Sequence, residues 1–136
     1  MAIAKNVLIL NVDNVPDNFG EVFDPAGIEL AEGDVPVLYS SVSDPENVRG
    51  YAKLRRGEDG NIYADIDFRG PETQVDRLTN LYPSIIGTLF TASKVFGVRV
   101  LDRVLVFGVE VSYDRNADHR IKTLGEQGVL GDPEKP

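Results

Sequence analysis

The sequence predicts an α+β fold that is mostly antiparallel β, either barrel-like or an open sheet, with one or two short helices. Three observations lead there. Residues 48–55 and 61–69 alternate apolar and polar side chains on either side of Glu58-Asp59-Gly60, the pattern of a half-buried hairpin. Residues 7–12, 35–39, 95–101 and 104–113 are further apolar, β-branched runs bounded by turn-forming residues. Only residues 70–82 carry a clear helical spacing.

In chain order, residues 7–12 form a strand that leads into a long polar loop punctuated by Pro16, Asn18 and Gly20, and Phe23-Asp24-Pro25 starts another turn. Residues 35–39 have strand composition, but Pro36 has no N–H to give a ladder, so it belongs at an edge or at a strand start. Residues 40–47 are a polar loop. In the hairpin, Ile62, Ala64, Ile66 and Phe68 share one face with the partner residues Ala52 and Leu54, while Tyr63, Asp65 and Asp67 face water with Tyr51, Lys53 and Arg55.

A helix then opens at Gly70-Pro71-Glu72, with proline in the first turn and an acid at the positive end of the helix dipole. Val75, Leu78, Leu81 and Tyr82 are its buried stripe, and Pro83 stops it. Residues 84–92 are apolar without a deciding period, so a second short helix and a buried strand both remain open; helix is the expectation taken here. Residues 95–101 and 104–113 read as two strands joined at Asp102-Arg103. Leu105, Phe107, Val109 and Val111 occupy one face of the second, and Val104 and Val106 crowd the other. The Gly- and Pro-containing stretch from 125 to 136 reads as a flexible acidic tail, which leaves residues 1–124 as a single domain.

Composition narrows the chemistry. The chain has 136 residues and no cysteine, so thiol nucleophiles, thiolate metal sites and disulfides are excluded. Twenty-two acidic against fourteen basic residues give a net charge of -8, which opposes approach to phosphate backbones and anionic membranes. No nucleic-acid or membrane partner is expected. Glycines are scattered outside any phosphate-binding pattern, and no cofactor is expected. Asp13, Asp17, Glu21 and Asp24 lack the spacing of a calcium loop, so no metal site is assigned. Asp65 and Asp67 read as the wet face of the hairpin.

A hydrolytic serine needs an imidazole beside it to accept its proton. His119 is the sole histidine and lies in a polar stretch, where a solvated surface residue is expected. Lys53, Arg55 and Arg56 form a basic cluster on the hairpin that either keeps an exposed strand soluble or meets an acidic neighbouring subunit.

The order of these pieces resembles the capsid maturation, or prohead, protease family of tailed phages, whose domain is a β-rich α+β barrel. Gly20-Glu21-Val22-Phe23-Asp24-Pro25-Ala26-Gly27-Ile28 is similar to that family's early "G-D-x-x-x-P-G-A-F" turn. Val35-Pro36-Val37-Leu38 resembles its next strand, and Val48-Arg49-Gly50-Tyr51-Ala52-Lys53-Leu54 with Asp59-Gly60-Asn61-Ile62-Tyr63 resembles its "I-G-x-A-x-L … D-x-x-G-L-x-V" hairpin. Pro83-Ser84-Ile85-Ile86-Gly87 is loosely similar to the "S-I-G" segment of the nucleophile, and residues 101–117 to the late strand and its exit.

The resemblance implies the fold, but the family's catalytic histidine belongs just after Leu38, where this chain reads Tyr39-Ser40-Ser41-Val42. Without that base, no catalytic residue is expected. The expected function is therefore a catalytically silent structural protein of a phage head, a decoration or stabilising protein in the virion. Its expected partners are the major capsid protein and itself, as a homo-oligomer in an assembly, with Val104, Val106, Lys53, Arg55 and Arg56 as candidate contacts. Two alternatives stand beside it: an active serine-type maturation protease pairing Ser84 with His119, and a small protein-binding or assembly-chaperone module.

Overall fold

The computed structural model describes residues 2–39, 48–69 and 75–131. In order these form β1 (Ala2–Leu10), β2 (Glu21–Phe23), a 3-10 turn (Pro25–Gly27), β3 (Ile28–Leu30), β4 (Asp34–Tyr39), β5 (Val48–Arg56), β6 (Ile62–Phe68), α1 (Val75–Leu78), β7 (Tyr82–Val95), β8 (Val98–Ser112), α2 (Leu124–Gln127) and β9 (Leu130–Gly131). The strands make one open sheet in the order β2-β8-β4-β5-β6-β1-β9, with β3 and β7 also paired to β8.

The sheet is mixed: its longer pairings are antiparallel, as expected, and three short parallel pairings depart from that pattern. The difference comes from β8, which pairs antiparallel with β7 along one edge and takes three parallel partners on the other. Glu21–Phe23 lies on Arg99 to Leu101, Ile28–Leu30 on Val104 to Val106, and part of β4 on Val109 to Val111. These partners are successive pieces of one stretch of chain laid end to end, so no crossover helix is needed between them. Gly27 permits the approach, because a Cβ there would lie 1.5 Å from the Asp102 carbonyl oxygen. Asp24 caps the turn by accepting from the Ala26 N–H at 3.0 Å, and Arg56 donates to the carbonyls of Pro25 and Ile28 at 3.1 Å each.

The β5–β6 hairpin has the expected register and faces. Ala52, Ile62, Ala64, Ile66 and Phe68 are buried, and Gly60 takes the positive φ of 85° that the turn demands. The two inner faces meet Val7, Ile9, Val37, Val106, Val109 and Val111 in one core. Leu78, Leu81 and Leu124, from α1, the residues after it and α2, join the same core.

Four expectations change. The helix start at residues 70–72 lies outside the described residues; α1 is a single turn, and Tyr82 of the expected helical stripe begins β7 instead. Residues 84–92 are strand, not helix: Ile85, Ile86, Thr88 and Thr91 suit a pleated strand, and β8 supplies a ladder along its whole length. Asp102-Arg103 lies inside β8, and the chain reverses instead at Phe96-Gly97, both at positive φ (50° and 82°) in a two-residue hairpin turn.

Finally, Val104 and Val106 are 3% and 0% exposed and belong to the core. Ile86 pairs with Gly108 while Gly87 pairs with Val106, so Phe107 is an extra residue that inverts the alternation. Val104 and Val106 point inward before this bulge, and Val109 and Val111 after it. Their burial removes them as contact residues.

The chain beyond residue 124 is also structured as far as 131. Thr123 and Glu126 form a reciprocal capping box, Gly128 ends α2 at a φ of 68°, and β9 pairs antiparallel with β1. The Gln127 carboxamide accepts from the Leu8 N–H at 2.9 Å and donates to the Leu8 carbonyl at 3.1 Å, acting as a strand neighbour where β1 is irregular. Residues 132–136 of the expected tail lie outside the described residues.

Candidate functional site

Ser84 sits near the start of β7, half-buried, in the cross-strand row that runs through Glu110 of β8 to Leu38 of β4. Its hydroxyl has no hydrogen-bond partner among the described residues, and its nearest cross-strand neighbour is a carboxylate. The position after Leu38, where the family resemblance places a base, holds an aromatic cluster: Tyr39 packs edge-on against Tyr113 at 6.2 Å, with the Arg49 guanidinium 5.9 Å from the Tyr39 ring.

His119 is exposed, with the Asn18 side-chain amide nitrogen 3.0 Å from its Nδ1. No hydrogen bond joins it to Ser84. A groove of about 190 Å³ has Ser84, Asn116, Ala117 and Asp118 in its lining, but not His119. Asn116 closes the groove against β7 by donating to the Pro83 carbonyl at 2.9 Å. Nothing among the described residues places an imidazole beside the Ser84 hydroxyl to accept its proton.

The acids of the first loop are each engaged within the chain. Asp17 accepts from the N–H groups of Phe19 and Glu21, Glu21 pairs with Arg99 at 2.5 Å, and Asp24 is the cap already described. Asp13 joins Arg120 at 2.7 Å, and Arg120 also holds Asp118 through Nε and Nη2, both at 2.9 Å. Burial would raise the Asp118 carboxyl, but hydrogen bonds from Arg120 and Asn11 outweigh it and keep it below the ordinary aspartate range. The hydrogen bond from Arg120 lowers Asp13 likewise. Asp118 and Arg120 therefore clamp the loop ahead of β2 to the segment after β8, a structural role.

On the hairpin, Asp65 accepts from the Asn6 N–H at 2.9 Å, where β1 passes through a positive φ of 60°. Asp67 bonds Arg69 at 2.8 Å. In the basic cluster, Arg56 is tied to the 3-10 turn, and Arg55 reaches the Asn6 side chain and lies 5.3 Å from the Tyr63 ring. Lys53 is exposed.

What remains is a surface rather than a pocket. From residue 87 to 97 every residue is exposed, on both faces of β7, with Leu89, Phe90 and Val95 near half exposure and Phe96 fully exposed at the turn. Phe107 adds to the same arm from β8, at 39%. Among the described residues, β8 is the only strand paired with β7. Reading the sequence missed this arm because residues 84–92 were assigned to a helix. The available signal was that Thr88-Leu89-Phe90-Thr91-Ala92-Ser93-Lys94-Val95-Phe96 has strand composition and a single charge.

Comparison with protein-family models, curated proteins and solved structures returned no match. The function must be argued from the chain itself.

Proposed function

We propose that this chain is a non-catalytic structural component of a tailed-phage head, a decoration or stabilising protein that binds the major capsid protein. The observation that carries the structural half of this reading is the exposed arm of β7 and β8. A monomeric protein rarely leaves a nine-residue strand with apolar side chains on both faces open to water, because its unpaired N–H and C=O groups invite another chain. The separation of Ser84 from any imidazole supports the silent half. The head itself is the expectation from the sequence resemblance.

Mass spectrometry of purified particles tests the reading. The chain should be present in a fixed ratio to the major capsid protein, and a serine-directed fluorophosphonate should leave Ser84 unlabelled. Absence from particles would remove the head, and labelling at Ser84 would restore the protease.

A further inference from the structure

We infer that the outer edge of β7 pairs antiparallel with the same edge of a second copy of this chain, joining two sheets across a two-fold axis. This rests on the reading of the arm as an assembly surface and goes further by naming its occupant.

Edge strands are ordinarily blocked by charges, proline or brevity. Residues 87–95 carry Lys94 as their single charge and no proline. The irregularities at Phe90, which lies 5.2 Å from the Arg103 guanidinium, and between Thr91 and Ala92, where Asp102 is the extra residue on β8, leave residues 92–95 as the uninterrupted stretch. A pairing centred on Ser93 sets Ala92 opposite Lys94 and Thr91 opposite Val95. Like charges would meet only if the axis passed through Lys94 itself.

The distribution of charge favours a second copy here. Residues 21–30 and 87–106 hold Lys94, Arg99 and Arg103 against Glu21, Asp24, Glu29 and Asp102, which is 3 − 4 = −1. The remaining −7 of the −8 lies elsewhere. Arg99 is neutralised by Glu21, and Arg103 lies 3.9 Å from Glu29. Two acidic copies therefore approach with least repulsion along this arm, while the more acidic remainder of each stays outside the contact.

The area is adequate as well. Leu89, Phe90, Val95, Phe96 and Phe107 together leave roughly 500 Å² exposed, given ~150–250 Å² for an aromatic side chain. Stable interfaces bury about 800 Å² per partner, and the Thr and Ser side chains and backbone of the strand can supply the balance.

Sedimentation velocity of the full chain up to about 200 µM should show a dimer. The double variant Leu89→Lys, Val95→Lys changes only exposed side chains and should weaken association at least about tenfold with an unchanged far-ultraviolet spectrum. Because the chain has no cysteine, a single Ser93→Cys reports the contact directly: oxidation should link it to itself, whereas Glu58→Cys, exposed in the β5–β6 turn, should stay monomeric.

A wild-type monomer at the highest concentration, or equal cross-linking at both positions, overturns the inference. A monomer that is nevertheless found in particles would sink this pairing and leave the head reading standing. A β7 dimer absent from particles would do the reverse.

Discussion

Replacing Arg120 by leucine tests how the loop ahead of β2 is held to the segment after β8. The guanidinium donates twice to Asp118, whose side chain is 11% exposed, and twice to Asp13, whose side chain is 40% exposed. The exposed pair is screened by water and contributes no more than a few tenths of a kcal/mol. The Asp118 pair matters more. Removing its partner leaves a largely buried carboxylate with Asn11 as its remaining side-chain donor, at a cost of about 2 kcal/mol. Unfolding entropy of ~2.1 cal/mol/K per residue over 136 residues converts this to a fall in Tm of about 7 °C.

The pH dependence gives the prediction its sign. Asp118 and Asp13 titrate lower in the folded chain than unfolded, so their contribution is complete above the unfolded aspartate value and fades as pH falls through the folded values. Thermal melts followed by circular dichroism at pH 7 should therefore separate wild type from variant by about 7 °C, and the gap should narrow steadily below pH ~4. A gap that persists undiminished in strong acid would assign the effect to packing of the arginine stem. No gap at pH 7 would refute the clamp.

Other substitutions probe the fold that displays the arm. Gly27→Ala forces a methyl to within 1.5 Å of the Asp102 carbonyl and should cost about 3 kcal/mol, read as a lower urea midpoint; a neutral effect would mean the 3-10 turn does not lie against β8. Thr123→Ala removes one half of the capping box and should cost about 1 kcal/mol, with hydrogen exchange rising first at Glu126, whose N–H bonds the Thr123 hydroxyl. Phe68→Ala empties a fully buried site and should cost about 3–5 kcal/mol by the same urea assay.

The parts of the fold legible in the sequence are those where local and tertiary preferences agree. Ile62, Ala64, Ile66 and Phe68 alternate with polar residues, and the sheet buries that same face. Residues 84–92 do not announce a period, and their long pairing with β8 decides their conformation from a distance. Phe96 is an uncommon residue at positive φ, so the turn escaped the usual Asn-Gly or Asp-Gly signal. The bulge at Phe107 inverts the alternation within residues 104–109, which carry no polar side chain, and no reading of alternation alone could tell Val104 from Leu105. After residue 124, glycine and proline content obscured a legible Thr123-x-x-Glu126 cap. The arm was hidden for the same reason as β7, since a surface strand is recognised only once its ladder partner is known.

A reconstruction of the native particle by cryo-electron microscopy tests most directly whether this chain acts through a strand on its surface or through a serine. The account predicts that the β7 edge between residues 87 and 95 is covered by a neighbouring chain, with the groove beside Ser84 open to solvent. A bare β7 edge, with peptide seated in that groove and His119 turned onto Ser84, would contradict it.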